Sequence, residues 1–254
     1  MKYGDLSWEE ALKVSHETLL QTHPRSSEKL IPPHQWIKDT MEEYLGSSYE
    51  YYSIGKNKNN RFNREFKVPG KLYDKNSDIT IVKNGKVVGS ISFKFVASNY
   101  SQNSNNYFEN LLGECFNIQS NGIPFCHVFV IRDEIPYYDN KKKVKRYEEF
   151  TEHNLEKYLK ADQLSNEIQF SAVPNKLSIT VIHISGDKYP REVIHPTLFK
   201  NLSSEEQKNI LDNLELNIVD YKEKYSPEYA SKLENMEIHK RLKEFAEIIK
   251  ANSD

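Results

Sequence analysis

The chain has 254 residues, with 35 Lys and Arg against 37 Asp and Glu (formal net charge −2) and 12% aromatics, so its length suits one domain and its aromatic content is too high for a disordered tail. No run of about 18 apolar residues is present and the N-terminal stretch lacks the apolar segment of a signal peptide, which excludes a membrane-spanning reading and points to a cytoplasmic setting. Cys115 and Cys126 are too few for a disulfide framework or a four-thiolate zinc site, and the sequence holds no His-x-x-x-His pair, phosphate-binding Gly-Lys-Ser/Thr loop or Gly-x-Gly-x-x-Gly.

Taken in chain order, residues 7 to 22 read as a helix, with Ser7 as cap, Glu10 completing a capping box, and Leu12, Val14, Leu19 and Leu20 as apolar positions. A second helix follows Pro32 and Pro33 and runs through Trp36, Met41 and Leu45. Residues 46 to 76 read as polar and irregular, and the Tyr-Tyr-Ser-Ile-Gly at 51 to 55 has no partner motif to give it meaning. Between 54 and 94 ten basic residues stand against three acidic ones, whereas 1 to 53 and 202 to 254 are both acidic on balance. A basic centre between acidic ends suggests one surface that faces a polyanion.

Asn84-Gly85 between two β-branched runs predicts a two-residue hairpin. The stretch VASNYSQNS after it reads as a loop, and NNYFENLLGECFNIQ as a helix with apolar residues at 108, 111, 112, 115, 116 and 118, ended by Asn121-Gly122. PFCHVFVI and LSITVIHIS read as strands buried on both faces, with His127 and His183 as core histidines. Lys141, Lys142, Lys143, Lys145 and Arg146 make a basic turn, a helix is predicted from about 147 to 161, and two helices close the chain, the last with Ile238, Leu242, Phe245 and Ile249 on one face. The expected architecture is α/β (α+β): one domain over residues 1–254, with a mixed central β-sheet flanked by helices, a core from about 60 to 190, and helical elements at 1–46 and 202–254.

Asp78 opens the first hairpin strand and Ser92-Phe93-Lys94 ends the second, so Ser92 and Lys94 share a face while Phe93 and Phe95 point to the core. An Asp on one strand and an acid-x-Lys on the next resembles the PD-(D/E)XK nuclease superfamily, to which most type II restriction endonucleases belong. Here the first motif reads Asn76-Ser77-Asp78, and the second carries Ser92 where the family has Asp or Glu. Some restriction enzymes of the superfamily show Ser-x-Lys at this place and take the missing carboxylate from the following helix. On that helix Glu109 borders the apolar stripe and ranks first, Glu114 second, with Glu65 upstream as a weaker choice. The resemblance runs from about Lys71 to Ile131, weakening toward Leu159, and includes FKFVASNYSQNSNNYFENLLGE.

The resemblance implies a restriction-endonuclease-like core and Mg²⁺-dependent cleavage of double-stranded DNA at a short specific sequence. Asp78 and Glu109 (or Glu114) would hold the metal, Lys94 would orient the attacking water, and Ser92 would assist by hydrogen bonding. A homodimer and a cognate DNA methyltransferase belong to the same implication. Asn99, Gln102, Asn103, Asn105 and Asn106 are candidates for reading bases, since amides pair with adenine in the major groove. Lys56, Lys58, Arg61, Arg64 and the 141–146 cluster are candidates for holding phosphates. Two other readings stay open: a repair or phage nuclease without sequence preference, and an inactive DNA-binding or interaction module in which Ser92 marks a decayed site. One geometric condition is attached. A regular two-residue hairpin would pair Asp78 with Ile91, on the opposite face from Lys94, so the site needs a bulge or a bend, with Ser77-Asp78 as a plausible place.

Overall fold

The computed structural model describes residues 6–23, 25–55, 61–62, 64–167, 170–186 and 195–253. In chain order the elements are α1 (Trp8–Gln21), α2 (Ile31–Leu45), β1 (Glu50–Ser53), β2 (Arg61–Phe62), β3 (Phe66–Val68), β4 (Lys75–Ser77), β5 (Ile79–Lys83) and β6 (Lys86–Val96). There follow α3 (Tyr100–Gln119), β7 (Phe125–Arg132), β8 (Glu134–Tyr138), β9 (Val144–Glu149), α4 (Glu152–Glu167) and β10 (Lys176–Ser185). The chain closes with α5 (Pro196–Phe199), α6 (Ser204–Asp212), β11 (Glu215–Ile218), α7 (Tyr221–Lys224), α8 (Pro227–Asn235) and α9 (Ile238–Ser253).

The central sheet is mixed and has the order β11-β10-β7-β6-β5-β1-β2. Strands β6, β7 and β10 run parallel, which their crossover connections allow, and β5 and β11 flank them antiparallel. The parallel strand β7 is buried along its whole length, as its continuous apolar run predicts. Its alternation splits the core in two. Cys126, Val128 and Val130 join Ile91 and Phe93 of β6 under α1, α2 and α9, while Phe125, Phe129 and Ile131 pack under α3 and α4. Ile238, Leu242, Phe245 and Ile249 of α9 are all in the first core. Among the described residues no helix is long and apolar enough to cross a membrane.

The capping box of Ser7 and Glu10 is formed, and Asn84 and Gly85 take the positive φ values (51° and 76°) of the expected hairpin turn. Five expectations differ from the structure. The 202–254 segment is not two helices only: it holds α6, α7, α8 and α9 together with β11, which pairs with β10 at the edge of the central sheet. The 46–76 segment contains β1, which pairs with β5 inside the central sheet, and the β3–β4 ribbon. The expected loop over 96–104 is confined to 97–99: α3 begins at Tyr100, because Asn99 turns the chain in the left-handed region (φ 53°). Residues 144–149 form a strand against β8, so α4 starts at Glu152 and not near 147. His127 is buried, but His183 is half-exposed and holds Asp133 at 2.9 Å, so it is not a core histidine.

Candidate active site

The hairpin β5–β6 carries the site, and its register decides where Asp78 points. From the turn to the site, β6 has one residue more than β5. The pairs run Lys83–Lys86 and Val82–Val87, then shift to Ile81–Gly89, Thr80–Ser90 and Ile79–Ile91. Val88 is the extra residue, a bulge that advances β6 by one position relative to β5. A one-residue shift exchanges the two faces of a strand. Asp78 therefore falls opposite Ser92 instead of Ile91, on the face of Ser92 and Lys94. The bulge sits farther from the site than Ser77-Asp78, where sequence placed it. At Asp78 itself the chain bends as it leaves the β3–β4 ribbon for the central sheet.

Gly89, next to the bulge, is required for a different reason. Helix α9 lies so close to β6 there that an added Cβ would stand 2.6 Å from Ile249 Cδ1 and 3.1 Å from its Cγ1.

Strand β6 runs past the end of β5, and the Asp78 side chain takes the place of the next strand carbonyl: the Phe93 N–H donates to Asp78 Oδ2 at 2.8 Å. The Ser92 hydroxyl lies 3.5 Å from Asp78 Oδ2 and 3.4 Å from Glu114 Oε2, so one hydroxyl sits between two carboxylates. Lys75 Nζ pairs with Glu114 Oε1 at 2.9 Å. Lys94, two residues beyond Ser92, places its ammonium 4.5 Å from the centre of the Tyr107 ring. In the parallel register with β7, Ser92 stands beside His127 and Lys94 beside Phe129. Asp78, Ser92, Lys94, Glu114 and His127 border one cavity of about 270 Å³.

Helix α3 supplies the roof. Tyr107, Asn110, Leu111 and Glu114 recur at i, i+3, i+4 and i+7 and all face the cavity. Glu109 lies on the exposed face, where its charge acts on Lys157, and it does not border the cavity. The ranking of Glu109 over Glu114 is thus reversed. The sequence stripe was wider than the face that packs: Phe116, beside which Glu109 was placed, is 46% exposed, and the packed face turns through Leu111, Cys115 and Ile118.

The electrostatics are those of a crowded acidic pair among cations. Burial raises Asp78 above the usual carboxylate range, opposed by the Phe93 N–H, Lys75, Ser92 and Lys94. Burial also raises Glu114, the Lys75 ammonium opposes this, and the Asp78 charge adds to it. Burial lowers Lys94, with Asp78 acting against it. His127, enclosed and facing Lys94 and Lys75, falls to about 3 and stays neutral.

The donor set bears on a metal. Among the described residues no group of three His, Cys, Asp or Glu side chains could hold an ion, so a zinc site completed by protein ligands is not offered. Two buried carboxylates that repel each other, with a lysine already drawn onto one of them, do suit Mg²⁺, which binds through one or two carboxylates and keeps waters and substrate phosphate as its other ligands.

The proposed base-reading residues divide. Asn99 accepts from the Tyr138 N–H (3.4 Å) with its side chain and from the Asn103 amide (3.2 Å) with its carbonyl, so both serve the start of α3. Gln102, Asn105 and Asn106 are exposed at i, i+3 and i+4 of the same helix. Of the proposed phosphate contacts, Lys56 and Lys58 lie outside the described residues, Arg61 is described only as β2 backbone, and Arg64 lies 5.9 Å from the Tyr52 ring centre. Lys141, Lys142, Lys143 and Lys145 are exposed around the β8–β9 turn. Sequence reasoning missed Lys75 and the place of His127 at the site. Lys75 stands three residues before Asp78, and only the bend of β4 into β5 brings it across to Glu114.

Compared with family models, with curated proteins and with solved structures, the chain matches none.

Proposed function

We propose that this chain is a Mg²⁺-dependent nuclease with a restriction-endonuclease-like core, hydrolysing phosphodiester bonds of double-stranded DNA, and more narrowly a type II endonuclease acting at a short specific sequence. The observation that carries the reading is the single Ser92 hydroxyl within 3.5 Å of both Asp78 and Glu114, with Lys94 two residues along the same face. Asp78 and Glu114 would hold the ion, and Ser92 stands in place of a carboxylate. Bound there, Mg²⁺ would supply charge neutralisation at the scissile phosphate and a more acidic water.

The chain's own groups do the rest. Lys94, partly desolvated and braced on Tyr107, is placed to orient the attacking water and to balance negative charge developing on phosphorus. The Phe93 N–H fixes the Asp78 carboxylate, so the ligand does not have to be ordered at each turnover. Site specificity is supported by the exposed amide face of α3, next to the cavity. Cutting both strands of a palindrome would need two copies of the chain, which favours a homodimer.

The test is digestion of plasmid DNA with Mg²⁺ and with EDTA, using the wild-type chain, Asp78→Asn and Lys94→Ala. Discrete fragments from the wild type alone, and only with Mg²⁺, support the reading. A smear with the same dependence would keep the nuclease and discard the specific site. Intact plasmid at high protein concentration would discard the enzyme in favour of a DNA-binding module.

A further inference from the structure

Behind the carboxylates, across Lys94 and Tyr107, lies a second cavity of about 210 Å³. Both residues line the two cavities in common, so the second opens directly beside the first. Its wall brings together Lys29, from the turn before α2, Lys94, from β6, and Arg132, the last residue of β7. No carboxylate lines it among the described residues, in a protein whose acidic residues outnumber its basic ones.

Arg132 is the informative member. It is 97% shielded, at 3% relative exposure, yet among the described residues its guanidinium makes no hydrogen bond or ion pair, and its enclosed Nε has no acceptor. A buried guanidinium without a partner is costly, because the desolvation is not offset by a counter-charge. Lys29 and Lys94 line the same cavity and add their positive charge to that of Arg132. Burial, and then the nearby Lys94 charge, lower Lys29. The Ser15 hydroxyl donates to the Lys29 carbonyl at 2.6 Å, which ties the Lys29 backbone to α1. An anion would supply the partner that the buried Arg132 lacks among the described residues. A guanidinium and two ammoniums suit the geometry of a phosphate group, which takes several donors at once.

We propose that this cavity is a phosphate-binding site, and that its ligand is a phosphate of the nucleic acid next to the one that is cut, either internal to the strand or at its end. The assignment of a nucleic-acid phosphate rests on the nuclease reading; the affinity for phosphate does not. The site would anchor the strand one step from the carboxylates, with Lys94 as the shared wall.

The experiment measures binding and needs no turnover. Inorganic phosphate is titrated into the full chain at constant ionic strength, with sodium chloride as the control, and the melting midpoint is followed. A saturable rise is expected, weakened at least about tenfold in Lys29→Gln and in Arg132→Met, the factor carried by a charge-assisted hydrogen bond. If Arg132→Met fails to fold, Lys29→Gln decides alone. A rise no larger than that with chloride, or variants that bind as the wild type does, would overturn the site. The source of the phosphate is read in Asp78→Asn protein in EDTA, as inhibition by phosphate of binding to 5′-phosphorylated duplex, 5′-hydroxyl duplex and closed circular DNA. Inhibition confined to the phosphorylated end assigns a terminal phosphate; inhibition on all three assigns an internal one. No inhibition on any DNA, with phosphate still bound, would overturn the nucleic-acid assignment. Saturable phosphate binding in a chain that cuts no DNA would overturn the nuclease reading and leave the pocket.

Discussion

The carboxylate of Asp78 accepts from the Phe93 N–H at 2.8 Å, across the boundary where β6 outruns β5. An acid that opens one strand thereby completes the edge of its neighbour while its side chain borders the cavity. The relationship exists because Val88 absorbs one residue in β6, which brings Asp78 level with Ser92.

That dependence is testable by shortening β6. Deleting Val88 leaves equal numbers of residues between the turn and the site on both strands, so a regular hairpin keeps Asp78 opposite Ser92. The deletion is expected to retain folding and cleavage. A folded, inactive product would show that the bulge's own bend aims the carboxylate, and the pairing argument would fail.

Gly89 sets the distance of α9 from the sheet. Gly89→Ala places a methyl group 2.6 Å from Ile249 Cδ1 inside the core. Overpacking of this kind costs roughly 1–3 kcal/mol, and Ile249→Val is expected to return part of it. Urea unfolding of the two single variants and the double variant measures the coupling; additive effects would place the cost elsewhere.

Asp78 and Glu114 both titrate above the ordinary carboxylate range in the folded chain, chiefly through burial. Groups raised in this way favour folding fully below the unfolded pKa, and the contribution is lost as pH rises through the folded value. The stability of Asp78→Asn and Glu114→Gln relative to wild type should therefore increase from acid to neutral pH. Mg²⁺ should act in the opposite sense, stabilising the wild type at neutral pH by about 2.7 kcal/mol at a hundredfold excess over its dissociation constant, and fading on acidification. Calorimetry with and without MgCl₂ checks both; an equal Mg²⁺ effect in the double variant would place the ion elsewhere.

What could be read beforehand was local or strongly periodic. The Ser7–Glu10 box, the Asn84-Gly85 turn and the buried strands β7 and β10 carry their signals within a few residues, whereas the shared face of Asp78, Ser92 and Lys94 depends on a bulge at Val88 that the two β-branched runs do not announce. Strand β1 was hidden because it buries tyrosines instead of aliphatic residues: the Tyr51 hydroxyl donates to the Gly46 carbonyl at 2.9 Å and that of Tyr52 to Glu50 at 2.7 Å, so a polar segment lies inside the sheet. The start of α3 was hidden because Asn99 ends the preceding loop by backbone conformation, without a side-chain cap. Choosing between Glu109 and Glu114 needed the rotation of α3, which depends on packing against β7 and α4 and not on the helix's own stripe.

That choice has a direct check. Glu114→Gln should abolish cleavage, whereas Glu109→Gln, an exposed substitution, should change the rate by no more than about a factor of two. Steady-state cleavage of a single-site plasmid distinguishes them. The reverse pattern would mean that α3 is rotated from the arrangement described.

Asn117 links α3 to the segment that delivers Lys75. Its Oδ1 accepts from the Leu72 and Tyr73 N–H groups at 2.9 and 3.3 Å, and its Nδ2 donates to the Tyr73 carbonyl at 2.9 Å. Gly70 is required beside it, since a Cβ there would stand 2.1 Å from Nδ2. Asn117→Ala should cost about 1–3 kcal/mol and speed hydrogen exchange at Leu72 and Tyr73. Asn117→Asp turns a carboxylate oxygen toward the Tyr73 carbonyl at a buried position, so near neutral pH it should cost at least as much as Asn117→Ala; equal exchange in all three would exclude the clamp.

The exposed amides of α3 separate reading from holding. If Gln102, Asn105 and Asn106 reach base edges, each alanine variant should relax the preference at particular positions of the site, by about 1–3 kcal/mol for a lost bidentate pair, and leave the other positions alone. Lys143→Ala, on the exposed β8–β9 turn, should instead weaken binding to every sequence alike and lower the salt dependence. Sequencing the ends produced from a randomised library gives the first quantity, and binding across a salt series gives the second. Unchanged site preference in all three amide variants would remove α3 as the reading helix, while the carboxylate pair and its lysine would stand.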